Sequence, residues 1–217
     1  HVRTYEVSLK DKEFKEGPWS QNDVEGGSSL IIPVPAPLGG AILVGETVIV
    51  YLNGGTSHNI VNTDATNAAV TAAGATAATA AAAQGGGGGG GGGTGGMIIK
   101  AIATKAANIM AYGAVDADGS RYLLSDSTGM LHLLVLVHDH ERVHALKLEP
   151  LGHTSIASSL SYLDNGVVYV GSAYGDSQLV RLHAQPLPPP PPGSGPVGGV
   201  GVVGGGGGGG GGYVEVL

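Results

Sequence analysis

The chain of 217 residues contains 41 glycines, 12 prolines and no cysteine, and its formal net charge is −7. The lack of cysteine excludes disulfides and thiolate metal sites, and 10 Lys and Arg against 17 Asp and Glu leave no electrostatic footprint for nucleic-acid phosphates. No apolar run reaches the length of a membrane span, so no membrane partner is predicted. The sequence starts and stops inside predicted strands, and we therefore expect it to be a fragment of a longer protein.

The N-terminal part contains a series of short predicted strands. Val2–Leu9 alternates apolar and polar residues, which is typical of a half-buried strand. The charged stretch Lys10–Gly27 holds the single tryptophan, Trp19, and predicts either an outer strand or a long loop. Pro33 favours an edge position for its strand because proline lacks the N–H that a central strand donates. Glycine turns separate three predicted strands at residues 30–34, 41–44 and 47–52.

Two low-complexity insertions interrupt the pattern at residues 54–96 and 184–212. The first runs from an alanine- and threonine-rich segment into polyglycine, and the second joins a proline run to polyglycine. Neither buries enough apolar surface to offset the entropy of ordering, so both are predicted to be disordered. The glycine tracts match a dinucleotide-binding pattern only trivially, because no strand feeds into them before a helix.

The rest of the chain reads as a repeated meander. In the stretch Ser155–Leu182, the pair Asn165–Gly166 predicts a tight hairpin, and Tyr174–Asp176 predicts the next turn. The second and third units start about 46 residues apart, which is typical of a four-stranded propeller blade. Both insertions fall between the third and fourth strands of a unit, where a long loop costs little additional closure entropy. The remaining strands are predicted at residues 97–102, 108–115, 121–124, 130–137, 143–148 and 213–217.

These features predict an all-β fold, a β-propeller fragment of about three consecutive four-stranded antiparallel blades. Residues 1–27 would end a preceding blade. Residues 28–103, with the insertion 54–96, would form the next blade, residues 104–150 another, and residues 151–217, with the insertion 184–212, the last.

Several stretches also carry a resemblance to a known family: His1–Leu9 with Glu13–Trp19, Asp118–Leu124, and Thr154–Ala157 with Tyr162–Val168 and Gly175–Val180. They resemble the large propeller subunits of the damaged-DNA-binding, cleavage-and-polyadenylation and splicing complexes, in the first of three propellers. The resemblance implies a nuclear, and also cytoplasmic, non-catalytic scaffold. It would act as the adaptor of a cullin-RING ubiquitin ligase that docks substrate receptors and is linked to DNA repair. The alternative is a nucleic-acid-binding propeller of an RNA-processing complex.

The resemblance also implies partner-binding residues. Receptor contacts are expected on one face that carries both a hairpin turn and the loop before Gly175. In that loop the family pattern leads us to expect a basic residue followed by leucine, whereas this chain has Ala173–Tyr174. The predicted partner-binding residues are Tyr162, Asp164, Asn165, Ala173, Tyr174 and Asp176.

Several patterns invite a catalytic or metal-binding interpretation. Gly175–Ser177 resembles the nucleophile block of a hydrolase, with His183 as the one histidine that follows it, but a turn glycine with capping side chains is the favoured explanation. A cluster at residues 138–144 could place histidines on one face of a strand for zinc, although a solvated hairpin tip is favoured. The cluster comprises His138, His140, Glu141 and His144. No metal, cofactor or small-molecule substrate is predicted.

Three other patterns have structural alternatives. Asp126, Asp164 and Asp176 are interpreted as turn residues, because paired-carboxylate catalysis would require them to converge. Pro188–Pro192 could be a polyproline II ligand, but a stiff spacer is favoured. The aromatic residues could stack on bases, but the acidic balance favours core or protein-contact roles, so nucleic-acid contact is expected to be indirect.

Overall fold

The computed structural model describes residues 1–21, 24–53, 98–103, 108–187 and 212–217. Strands and turns make up these ranges, and no helix occurs in them, so the all-β prediction is confirmed. None of the described segments is therefore a helix that could cross a membrane. The strands are β1 (Val2–Ser8), β2 (Glu13–Gln21), β3 (Leu30–Pro33), β4 (Ala41–Val44), β5 (Val48–Leu52), β6 (Ile98–Ala103), β7 (Ile109–Ala114), β8 (Arg121–Asp126), β9 (Met130–Asp139), β10 (Arg142–His153), β11 (Ser159–Asp164), β12 (Val167–Gly171), β13 (Gln178–Leu182) and β14 (Val214–Val216).

The strands pair in chain order. β1 and β2 form a two-stranded hairpin, and β3–β6, β7–β10 and β11–β14 form three four-stranded sheets. We refer to these as the first, second and third sheets. The stretch from Lys10 to Gly27 thus contains a strand rather than only a loop. Pro33 lies on β3 at the edge of the first sheet, as predicted.

The chain divides into two compact units, residues 1–106 with 137–146, and residues 107–136 with 147–217. In the first unit a buried tyrosine organises the loop between β3 and β4. The Tyr51 hydroxyl lies 2.8 Å from the carbonyl oxygen of Gly39 and 3.1 Å from that of Leu38, and it donates to this pair. Asn53 donates to Leu38 as well, and burial raises the pKa of Tyr51. The phenol therefore stays neutral and satisfies carbonyls that burial would otherwise leave unpaired.

The second unit is built on sheet-to-sheet packing. Along β12, Val168 and Val170 are buried while Tyr169 between them is exposed, the alternation expected of a half-buried strand. Burying each such side chain contributes about 1.5–3 kcal/mol. The core joins residues of the second and third sheets: Ala111, Leu123, Leu131, Ala157, Leu160, Val168, Val170, Val180 and Val214.

One glycine allows the two sheets of this unit to approach closely. A Cβ atom at Gly113 of β7 would lie 2.8 Å from the carbonyl oxygen of Leu160 on β11. Real Cβ atoms do not come this close to backbone atoms. Glycine at this position therefore sets the spacing between the second and third sheets.

The turns follow their sequence signals. Asn165 and Gly166 have φ angles of 50° and 76°, as a type I′ hairpin requires, and Asp164 pairs with Val167 across this turn. The first insertion lies between β5 and β6 and the second between β13 and β14, in each case the third and fourth strands of a sheet. The second insertion starts and ends at neighbouring points, since the amide of Leu187 donates to the carbonyl of Gly212 at 2.9 Å. Both insertions are predicted to be disordered. They lie outside the described ranges, except for residues 184–187 and 212 of the second insertion.

Ser125 is a polar residue in the core of the second unit. It pairs with Ala111 and with Leu131, both members of that core, and its hydroxyl oxygen has no hydrogen-bond partner among the described residues. A buried hydroxyl without a partner is unfavourable by about 1–3 kcal/mol. We expect Ser125→Ala in the full-length protein to leave the opening free energy of β8, measured by amide hydrogen exchange, unchanged or raised by about 1 kcal/mol. A loss of protection in β8, with the exposed control Ser127→Ala unchanged, would contradict this expectation.

Candidate protein-interaction surfaces at the two ends of the third sheet

The topology separates the predicted partner-binding residues into two groups. The β11–β12 turn (residues 164–166) lies at one end of β12, and the β12–β13 loop (residues 172–177) lies at the other end. The five residues of β12 span about 16 Å at the usual rise per strand residue. The expectation of a single face is therefore wrong, because successive turns of an antiparallel meander alternate between opposite ends of the sheet.

At the β11–β12 turn, Tyr162 has a structural role. Its half-buried ring packs against the core of the second unit, and its hydroxyl accepts a hydrogen bond of 3.0 Å from the amide of Gly166. This bond helps to fix the hairpin turn. Asp164 and Asn165 are exposed at its tip, where the Asp164 carboxylate accepts from the backbone amide of Asn165 at 2.7 Å and from its side chain at 3.1 Å.

An ion pair joins β8 to the preceding turn. Arg121 donates to both carboxylate oxygens of Asp116, from Nε at 2.5 Å and from Nη2 at 2.8 Å. The hydrogen bond from Arg121 is the main cause that lowers the pKa of Asp116. Asp116 and Arg121 therefore form a fixed, largely neutralised pair at the start of β8.

The β12–β13 loop is held at the opposite end by three serines. The amide of Ser172 donates to Oγ of Ser177 at 3.2 Å, and the amide of Tyr174 donates to Oγ of Ser172 at 3.2 Å. The amide of Ala173 donates to Oγ of Ser158 at 3.1 Å. These bonds order the backbone, and the Tyr174 side chain remains 73% exposed. The loop therefore presents an aromatic ring whose backbone is already fixed.

Neighbouring loops support this end of the unit. The segment 154–158 bonds to the β8–β9 turn, where the amide of Thr154 donates to the carbonyl of Gly129 at 2.8 Å. It also bonds to the third sheet, because the amide of Ser155 donates to Oε1 of Gln178 at 2.9 Å. Hydrogen bonds thus connect the three loops 126–129, 154–158 and 172–177 into one platform.

Asp126 is the buried centre of the β8–β9 turn. One of its carboxylate oxygens accepts bonds from the amide and hydroxyl of Thr128, at 2.8 and 2.6 Å, and from the amide of Met130 at 3.0 Å. The other lies 3.0 Å from Nε2 of His132. Burial alone would raise the pKa of Asp126, but the hydrogen bonds from His132, Thr128 and Met130 outweigh it and lower the pKa. The pattern Asp-x-Thr-Gly is the signal that could have identified this turn, whereas the role of His132 is not visible in the sequence.

The structure does not support the hydrolase interpretation. Ser177 precedes β13 and His183 follows it, so the two side chains lie at opposite ends of that strand. His183 Nε2 instead lies 2.7 Å from the Glu215 carboxylate. The Ser177 hydroxyl oxygen accepts the bond from the Ser172 amide. Paired-carboxylate chemistry is equally unsupported, since Asp164 lies at the opposite end of the third sheet from Asp126 and Asp176.

The histidine-rich tip of β9 and β10 gives no metal site in the described ranges, where no three His, Cys, Asp or Glu side chains gather in the manner of metal ligands. His144 Nε2 lies 2.5 Å from the Asp139 carboxylate. His140 has a φ of 48° in the turn. The tip is thus a hairpin turn with a histidine–carboxylate contact. Among the aromatic residues, Tyr51 and Tyr122 are buried and cannot stack on bases, and the Trp19 side chain and Pro188–Pro192 lie outside the description.

Comparison with known proteins identifies the family. Residues 1–195 match the family model described as the RSE1/DDB1/CPSF1 first beta-propeller. DNA damage-binding protein 1 of Oryza sativa subsp. japonica is 51% identical over 185 residues, which cover 85% of this chain and 13% of that relative. DNA damage-binding protein 1b of Arabidopsis thaliana is 48% identical over 186 residues, with 86% of this chain and 13% of the relative covered. This chain thus spans a small part of the relatives that it matches, and it belongs to the RSE1/DDB1/CPSF1 first β-propeller family.

Proposed function

We propose that this chain is part of a non-catalytic propeller scaffold in the response to DNA damage, and that it docks partner proteins. The observation that carries the proposal is the β12–β13 loop, which presents an exposed tyrosine on a backbone fixed by serine hydrogen bonds. Tyrosine is enriched among the residues that dominate binding energy at protein interfaces. Because the loop is ordered before a partner arrives, docking loses little conformational entropy there.

The partners that we propose are substrate-receptor proteins of a cullin-RING ubiquitin ligase, in the nucleus and also the cytoplasm. The β11–β12 turn would make a separate contact through Asp164 and Asn165, which are exposed. Tyr162 would act by holding that turn through its bond to Gly166. Two separate surfaces allow a receptor, or two parts of an assembly, to approach both ends of the third sheet. Cullin contact would lie outside this chain.

Each four-stranded sheet is proposed to be one blade, with boundaries at residues 28–103, 104–150 and 151–217, and with residues 1–27 as the end of a preceding blade. The third sheet has an outward row of apolar side chains, Tyr169, Leu179 and Leu217, that no described residue of its unit buries. A further blade of the longer protein would cover such a row, since exposed sheet faces of this kind favour association.

A substitution at the β12–β13 loop tests the docking proposal. In the full-length protein, Tyr174→Ala should lower the amount of substrate receptor retained in a pull-down by about tenfold or more, as expected when an interface tyrosine is truncated. Cullin retention should stay unchanged and serves as the internal control. Tyr174→Phe, which keeps the aromatic ring at the same position, is the matched control variant and should retain the receptor. Receptor retention equal to that of the unsubstituted protein would place the docking surface elsewhere.

A second candidate function, nucleic-acid binding, is suggested by the name of the relatives, DNA damage-binding protein. The net charge of −7 opposes a contact made through phosphates. A gel-shift titration of the full-length protein against a damaged duplex at increasing salt separates the two functions. Binding through phosphates must weaken steeply as salt rises, and its absence at low salt leaves protein docking as the function.

A further inference from the structure

We propose that the partner segment received by the β12–β13 loop carries an arginine, whose guanidinium stacks on the Tyr174 ring and pairs with the Asp176 carboxylate. This inference rests on the proposed docking function and specifies the chemistry of the partner. It also assigns to Asp176 a role in selecting partners, separate from its position in the turn.

The charges at this end of the second unit favour a cationic partner. Asp176 is exposed, and its carboxylate makes no hydrogen bond or ion pair with the part of the chain that the structure covers. By contrast, the carboxylates of Asp116, Asp126 and Asp164 all accept hydrogen bonds. The loops 126–129, 154–158 and 172–177 contain no Lys, Arg or His, so no cation from these loops competes for Asp176.

The spacing of the two residues suits a guanidinium group. Tyr174 and Asp176 are separated only by Gly175, so their Cα atoms lie within about 7 Å of each other. Arginine can stack its planar group on an aromatic ring and still donate two parallel hydrogen bonds to a carboxylate. Lysine presents a compact point charge and cannot make the same bidentate contact. The pair therefore favours arginine over lysine.

The glycine between them leaves room for the ligand. A Cβ atom at Gly175 would have one neighbour within 4 Å, Oγ of Ser172 at 3.9 Å. The Cβ side of Gly175 is therefore open, and a guanidinium can approach from that side. Because serine hydrogen bonds fix the amides of Ala173 and Tyr174, the two contacts would be presented together.

The experiment uses full-length protein and fluorescein-labelled peptides of leucine and alanine with one central arginine, followed by fluorescence anisotropy. Matched peptides carry citrulline, lysine or glutamate instead. The arginine peptide should bind most tightly, and citrulline, which is neutral and nearly the same shape, should weaken binding by about tenfold. Asp176→Asn and Tyr174→Leu should each weaken arginine binding by about fivefold. Glu149→Gln, which neutralises an exposed acid on β10, should leave it unchanged.

Two results would overturn the inference. The first is equal binding of the citrulline and arginine peptides. The second is equal weakening by Asp176→Asn and Glu149→Gln, which would indicate general attraction to an acidic protein. Receptor pull-down with the same variants separates this inference from the docking proposal. If Tyr174→Ala reduces receptor retention but Asp176→Asn does not, the arginine inference is rejected and the docking proposal stands. If neither variant reduces receptor retention, both proposals are rejected.

Discussion

Replacing Asp126 with alanine should lower the opening free energy of the β8–β9 turn by about 3 kcal/mol. The carboxylate is 5% exposed and accepts bonds from Thr128, Met130 and His132. Its removal leaves these donors without a partner, which is more costly than the net value of the bonds themselves. Amide hydrogen exchange over residues 121–136 of the full-length protein measures the effect.

Asp164→Ala is the matched control, because that carboxylate is exposed and accepts only from Asn165. It should change the opening free energy by less than about 0.5 kcal/mol. Asp126→Asn should have an intermediate effect, since an amide oxygen can still accept from Thr128. If Asp126→Ala lowered the opening free energy of the turn no more than Asp164→Ala does, the turn would be held by its backbone hydrogen bonds alone.

The same carboxylate predicts a pH dependence. Because its folded-state pKa is lowered, Asp126 stabilises the turn fully above its unfolded pKa of about 3.9 and loses that contribution as pH falls through the folded value. The difference between the unsubstituted protein and Asp126→Ala should therefore be constant above about pH 5 and shrink below about pH 3.5. A difference that grew on acidification would show the opposite sign of pKa shift.

Replacing Gly129 with alanine should destabilise the same end of the unit by about 3 kcal/mol. Gly129 has a φ of 84°, and a Cβ atom there would lie 2.4 Å from the carbonyl oxygen of Thr154. Alanine would therefore be strained in this backbone conformation and would push the segment 154–158 away from the turn. That segment bonds to the β12–β13 loop through Ser158, so the order of the loop should fall as well.

Gly175→Ala provides the matched control, because its Cβ would meet only Oγ of Ser172 at 3.9 Å. Hydrogen exchange at residues 127–136 and 154–160 should rise strongly for Gly129→Ala and stay near the unsubstituted level for Gly175→Ala. Equal exchange in the two variants would mean that the segment 154–158 shifts to accommodate the added Cβ atom without loss of stability. The platform of the three loops would then not be rigid.

The two loop variants also connect stability to docking. Gly129→Ala leaves Tyr174 chemically intact but loosens the backbone that presents it. If preorganisation supports docking, this variant should reduce receptor retention partially, whereas Tyr174→Ala should remove most of it. The comparison separates the contribution of the ring from that of the fixed loop.

Local patterns in the sequence determined most of the strands and turns. Alternating side chains placed β1, and the Asn165–Gly166 pair defined a hairpin whose positive φ angles the structure confirms. Pro33 marked an edge strand because it cannot donate to a ladder. These signals are local, since they depend on the backbone preferences of one or two residues and on the period of a strand.

The tertiary structure decided how the candidate residues are distributed in space. The family resemblance implied one face for Tyr162 and Tyr174, but the direction of β12 between them places them at opposite ends of the third sheet. Likewise, β13 separates Ser177 from His183, and the fold pairs Asp126 with His132 across a turn. Distances between side chains depend on strand pairing and direction over the whole sheet, so residues close in sequence can lie far apart, and only the folded chain shows which of them meet.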